Sequence, residues 1–174
     1  MHTKLLINGE LVAGLGEAHT VVDPATGEAI TAVPEASSEQ VSAAVAAADE
    51  AFQTYSKTTP AERAEILLNI ADCLEQNQDE LAELESLDVG KPWPSARDDE
   101  MPLTIDVFRF FAGAARTMTG SAAGGICGGP HQHDPPRSCW AQRVHRTMEL
   151  SPHDGCMEIG PALGGGVQCG VETF

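Results

Sequence analysis

The sequence predicts an α/β fold for residues 1–123, on three observations. An Asn8-Gly9 pair separates two short apolar runs. Four later stretches repeat apolar side chains at helical spacing. Composition then changes abruptly near Gly124, beyond which neither helical nor strand periodicity persists.

The elements follow in order. Lys4 to Val12 reads as a hairpin, because Asn-Gly supplies the positive φ angles of a type I′ turn. Val21-Val22 closes a strand at the turn Asp23-Pro24-Ala25-Thr26-Gly27, and Ala29 to Val33 begins the next. Ser37 with Gln40 forms a capping box before Val41, Ala44, Val45, Ala48, Phe52 and Tyr55. Thr59-Pro60 opens a second helix with the stripe Ile66, Leu67, Ile70 and Leu74. Asn77 is the expected cap of a third, holding Leu81, Leu84 and Leu87 and ending at Gly90 and Pro92. A fourth runs from about Asp99 to Met118, with Leu103, Val107, Phe110, Phe111 and Ala114 on one face.

Charge limits the partners. Ten Lys+Arg stand against 26 Asp+Glu, a formal charge of −16. Nucleic acid and anionic membrane surfaces are therefore excluded as partners of the chain as a whole. No apolar run approaches the roughly 18 residues of a membrane span. The start, Met1 to Leu11, has no secretory h-region. A cytoplasmic protein is expected, its five cysteines reduced.

The seam at Gly124 is sharp. Residues 1–123 hold one Cys, two His and all three Lys, while 124–174 hold four Cys, four His and no Lys. The first part carries 21 acids and 7 bases, and the tail 5 and 3. The expected organisation is a folded segment, 1–123, followed by an irregular or disordered tail, 124–174, that forms no domain.

Three ordered blocks carry a resemblance. They are Val22-Asp23-Pro24-Ala25-Thr26-Gly27-Glu28, Leu87-Asp88-Val89-Gly90-Lys91-Pro92 and Val107-Phe108-Arg109-Phe110-Phe111-Ala112-Gly113. Residues 1 to about 124 resemble the N-terminal third of NAD-dependent aldehyde dehydrogenases, with the nearest likeness among bacterial γ-aminobutyraldehyde dehydrogenases. The resemblance implies an incomplete cofactor-binding domain from an enzyme that oxidises an aldehyde, such as 4-aminobutanal in putrescine degradation, to its carboxylate. In such an enzyme a Cys thiolate attacks the aldehyde, a hydride passes to NAD, amide groups hold the oxyanion and a Glu activates water. The family forms homo-oligomers. It also implies that the nucleophile, the base and the cofactor site lie outside this chain. No catalytic or cofactor-binding residue is assigned, no NAD is expected bound, and the chain alone is expected to be inactive and prone to aggregate through exposed apolar faces.

The family's P-W-N-Y-P and K-P-S-E segments belong in the tail, and neither is written there. A one-base insertion near Gly124-Gly125 would account for that. Trp140 before Ala141 must then read Gly, and Met148 and Met157, each before Glu, must read Trp. Those two Trp fall nine apart, as in the family's P-W-N-Y-P-L-M-M-A-A-W-K. Thr147 to Glu158 can yield P-W-N-Y-P-P-M-M-A-A-W-K, and Gly170 to Phe174 can yield V-L-K-P-S, after which this frame can stop. As written, Glu149 stands where the oxyanion Asn belongs. The competing reading is a zinc site of Cys127, His131, His133 and Cys139, with His153 and Cys156 as further donors. Their spacing fits no known zinc module, so the frameshift is preferred.

The remaining candidates are weighed singly. Cys73, beside Leu74, is expected to be a buried structural thiol. Gly164-Gly165-Gly166 lacks the strand-turn-helix context of a phosphate loop. Asp98-Asp99-Glu100 is read either as favourable charge at a helix start or, by resemblance, as the mouth of the substrate tunnel. In the second reading Glu100 binds the ammonium end of the substrate. By resemblance too, Asp88 and the main-chain oxygens of Val21 and Val22 line a monovalent cation site; the alternative is a helix-terminal Asp bonded to nearby N–H groups.

Overall fold

The computed structural model describes residues 3–118, 142–145, 152–165 and 169–172. The chain is mixed α/β, as expected. Strands β1 (Leu5–Ile7) and β2 (Glu10–Val12) pair antiparallel. Asn8 at φ 51° and Gly9 at φ 78° make the turn between them. Strands β3 (Ala18–Val22) and β4 (Ala29–Pro34) form a second antiparallel pair, with a register shift at Val21/Val22. Asp23 organises their turn. The Ala25 amide donates to Oδ1 at 2.8 Å and the Thr26 hydroxyl to Oδ2 at 3.0 Å. Both bonds favour the ionised carboxylate, the Ala25 amide most, and hold it below its ordinary pKa.

Helix α1 (Ser38–Tyr55) starts at the expected capping box. Gln40 also reaches backwards. Its Oε1 accepts from the Leu15 amide at 3.0 Å and its Nε2 donates to the Ala13 carbonyl at 2.8 Å. The β2–β3 connection is thus pinned to the helix start. Val41, Ala44, Ala48, Phe52 and Tyr55 are half-buried as predicted, but Val45 is exposed.

Helix α2 (Pro60–Gln76) carries Pro60 in its first turn and a second capping box that the sequence reading did not single out, Thr59 with Glu62. The Thr59 amide donates to Glu62 Oε2 at 2.6 Å and the Thr59 hydroxyl at 2.8 Å. These bonds, the amide first, hold the Glu62 pKa below its ordinary value. Such a carboxylate adds stability above its unfolded pKa and loses it as pH falls through the lower folded value. Glu62→Gln is therefore expected to lessen the loss of stability on acidification below about pH 4. Urea unfolding of both proteins at neutral and acid pH measures this.

The core lies between α2 and α5 (Met101–Thr117). Ala64, Leu67 and Ala71 meet Ile105, Phe108 and Ala112, all buried. Here the predicted faces need correction. Ile66 on α2, and Leu103 and Phe110 on α5, are exposed. The α5 stripe is Met101, Thr104, Ile105, Phe108, Ala112 and Ala115, with Val107 at its edge. Phase is what the sequence reading missed. The helix does not begin cleanly at Asp99. A short α4 (Trp93–Ser95) runs into a π-helical turn, Ala96–Glu100, in which the Met101 amide bonds back to the Ala96 carbonyl. Pro102, five residues beyond Arg97, has no N–H to offer the Arg97 carbonyl. Gln78 Nε2 donates to that carbonyl instead, at 2.7 Å.

Helix α3 (Gln78–Val89) ends as predicted, with Gly90 at φ 76° in the left-handed region. Its start differs from expectation. Asn77 makes no side-chain cap for α3, because its amide donates to the Cys73 carbonyl at 2.7 Å and so closes α2.

The tail departs from the expected irregular structure where it is described. Strand β5 (Gln142–His145) pairs in parallel with β6 (Cys169–Glu172), and α6 (Pro152–Gly164) lies between them in sequence. This is a βαβ unit. Cys156, Ile159 and Leu163 pack on the α2–α5 core at i, i+3, i+7 spacing. The sequence reading missed this short stripe among the surrounding glycines and prolines. Tyr55 Oη donates to the Leu163 carbonyl at 3.0 Å, tying α1 to α6. Among the described residues no helix is long and apolar enough to cross a membrane.

Candidate functional site

Two of the sequence blocks meet in space. Gly90 closes α3 against the β3–β4 turn, and a Cβ built there would stand 2.7 Å from Pro24 Cγ. The positive φ and this contact both call for glycine at 90. Asp88, two residues earlier, is exposed, as is Val22, while Val21 is half-buried. The structure thus brings the segment bearing Asp88 to the turn that follows Val21 and Val22. Among the described residues no group of three or more His, Cys, Asp or Glu is arranged to hold a metal ion.

Beyond Gly90 the chain folds back on itself. Ser86 Oγ donates to the Lys91 carbonyl at 2.6 Å. Lys91 Nζ then pairs with Glu100 Oε1 across the π-helical turn. Both side chains are mostly buried, with 27% and 21% exposed. The other carboxylate oxygen, Glu100 Oε2, is buried without a hydrogen-bond partner among the described residues. So is the hydroxyl of Thr104. A carboxylate oxygen out of water and unbonded is costly unless a donor reaches it.

The neighbouring acids have partners of their own. Asp98 accepts from Arg97 Nη1 at 2.7 Å, and Asp99 from Ser95 Oγ at 3.0 Å. Arg97 also binds Asp79 at 2.6 Å. Asp98, then Asp79, raise its pKa above the ordinary value. Of the acidic run, Glu100 alone is turned inward with an oxygen unbonded. The sequence reading did not find Lys91, its partner nine residues away. Only the reversal at Gly90 and the π-helical turn bring the two together.

Cys73 is not the buried thiol expected. It is exposed, two positions past Ala71 and off the Leu67–Ala71–Leu74 stripe. Gly164 and Gly165 sit at the C-terminal end of α6, whereas phosphate groups favour helix N-termini. Gly164 has a packing role, since a Cβ there would lie 3.6 Å from Leu67 Cδ1 and 3.4 Å from the Phe111 carbonyl. Cys127, His131, His133, Cys139 and Glu149 lie outside the described residues.

Comparison with known proteins bears on the family and the fold. The profile of the aldehyde dehydrogenase family matches residues 12–133. Aldehyde dehydrogenase 1 of Tanacetum cinerariifolium is 44% identical over 122 residues, covering 68% of this chain and 24% of that protein. The crystal structure of PnpE in complex with nicotinamide adenine dinucleotide superposes with a TM-score of 0.86 at 33% identity, over 98% of this chain and 35% of that one. A crystal structure described as a putative aldehyde dehydrogenase from Burkholderia cenocepacia gives 0.84 at 30% identity, over 99% and 35%. The chain thus spans about a quarter of the length of the curated relatives it matches. Within that span the sequence blocks and the fold agree, and the chain belongs to the aldehyde dehydrogenase family.

Proposed function

We propose that this chain carries the N-terminal part of an NAD-dependent enzyme that oxidises small ω-amino aldehydes, such as 4-aminobutanal, to carboxylates. NAD is the cofactor of the whole enzyme, which works in the cytoplasm as a homo-oligomer. Glu100 carries the substrate assignment. One of its oxygens is held by Lys91 and the other is buried and unbonded among the described residues. An alkylammonium donor would satisfy that oxygen, and an alkyl terminus would not. Asp88, with the main-chain oxygens of Val21 and Val22, is proposed to hold a monovalent cation, supported by the approach of Gly90 to Pro24.

The reading frame after about codon 125 is proposed to be shifted by one inserted base. The forced Gly and Trp codons at Trp140, Met148 and Met157 support this, and so does a family match that stops at residue 133. The nucleotide sequence across codons 123–126 tests it directly. A native base count there overturns it.

Deletion of the extra base gives the protein in which to test Glu100. Glu100→Gln is expected to lower kcat/KM for 4-aminobutanal and leave butanal almost unchanged. A half-buried ion pair contributes roughly 0.5–2 kcal/mol, or about 2- to 30-fold. Equal losses on both substrates would make Glu100 a helix-junction residue held by Lys91. A second reading, association with an intact subunit, is favoured by the exposure of Phe110 (65%) and Leu103 (49%). Co-purification with a full-length dehydrogenase tests that reading.

A further inference from the structure

We propose that Lys91 sets how strongly Glu100 selects an ammonium group, because its own ammonium is already seated on the same carboxylate. This rests on the substrate reading of Glu100 and adds the residue that tunes it. The Lys91 side chain is an alkyl stem ending in an ammonium, the same chemistry as the tail of a short ω-amino aldehyde. It starts from a fixed point. Gly90 turns the chain at φ 76°, and Ser86 Oγ donates to the Lys91 carbonyl at 2.6 Å. From there Nζ crosses the π-helical turn to Glu100 Oε1. A donor tethered in this way competes at an effective concentration that a free donor has to match.

The two carboxylate oxygens differ. Lys91, a point charge, takes Oε1, while Oε2 stays buried without a hydrogen-bond partner among the described residues. Arg97, in the same π-helical turn, is held by Asp79 and Asp98. Lys91 and Glu100 together sum to zero charge. An ammonium arriving at Oε2 gains a hydrogen bond but meets a like charge across one carboxylate. Both side chains are mostly out of water, so salt screens that repulsion only weakly. Lys91 thus holds the ammonium preference of Glu100 down. What replaces Lys91 decides the direction of change. Methionine keeps a stem of similar length, removes the charge and frees both oxygens. Arginine keeps the charge, but its planar fork covers both oxygens at once.

The test titrates n-butylammonium chloride into the 174-residue protein and follows the backbone amide shifts of Glu100, Met101 and Thr104. Lys91→Met is expected to saturate at about 2- to 30-fold lower concentration than the unsubstituted protein, the range for a half-buried ion pair. Lys91→Arg is expected to bind more weakly than the unsubstituted protein. Adding Glu100→Gln to Lys91→Met should abolish saturation. In the protein with the extra base deleted, the ratio of kcat/KM for 4-aminobutanal to that for butanal is expected to follow the same order. A merely structural Lys91 gives another pattern, in which Arg restores the unsubstituted behaviour and Met lowers both aldehydes together. That pattern overturns the proposal. So does a Lys91→Met protein that binds n-butylammonium no more tightly than the unsubstituted one. If Lys91→Met does not fold, Lys91→Arg decides alone. Failure of the substrate assignment looks different: Glu100→Gln then lowers both aldehydes equally, while n-butylammonium still saturates Lys91→Met.

Discussion

Purified as its 174 residues and given NAD with 4-aminobutanal, the chain is expected to form no NADH above a protein-free control. The effect is total because catalysis in this family needs three things together: a thiolate, donors for the oxyanion and a bound nicotinamide. The chain spans 24% of one relative's length and 35% of the solved structures'. The expectation rests on the reading that the nucleophile lies outside these 174 residues, and neither cysteine whose side chain is described is proposed to take its place. Cys73 lies exposed on α2, and Cys156 packs against the α2–α5 core. Enzymatic acceleration commonly exceeds about 10^6-fold, so even a trace of true turnover would stand clear of background. Steady NADH formation abolished by Cys73→Ala or Cys156→Ala would overturn the expectation. Formation unaffected by either substitution would point to a contaminating enzyme, which a second purification route would remove.

What the sequence made legible was local. Asn8-Gly9, the Ser37–Gln40 box, Pro60 in the first turn and Gly90 after the last each act within a few residues, so their positions could be read directly. Which face a helix buries is not local. The exposed face of α5 carries Leu103 and Phe110 beside Asp106 and Arg109, and its phase depends on how the π-helical turn before Pro102 sets the helix against α2. Leu103 and Phe110 were accordingly misplaced. Cys73 failed for a related reason, since apolar neighbours in sequence do not share a helix face at one- or two-residue spacing. The candidate site was legible in part. Asp88 and Glu100 stand in the named blocks, but the Lys91–Glu100 pair exists only because the chain reverses at Gly90.

Leu67→Ala is expected to destabilise the protein by about 2–5 kcal/mol, measured by urea unfolding followed by far-UV circular dichroism. Leu67 has 0% of its surface exposed and packs where α2 meets Ile105, Phe108 and Ala112 of α5. Its Cδ1 also lies 3.6 Å from where a Cβ on Gly164 would stand, so α6 closes over it. Collapse around the lost methyls is resisted because Ala64 and Ala71 flank it with small side chains that have nothing to extend into the gap. The same substitution can determine whether α6 belongs to this core in solution. Leu163, on α6, packs against the cluster that contains Leu67. Leu163→Ala should therefore cost stability by itself. Combined with Leu67→Ala, it should depart from additivity by about 0.5–3 kcal/mol, as residues sharing one cavity do. A neutral Leu163→Ala with strict additivity would remove α6 from the folded core and leave α2 and α5 to bury Leu67 between them.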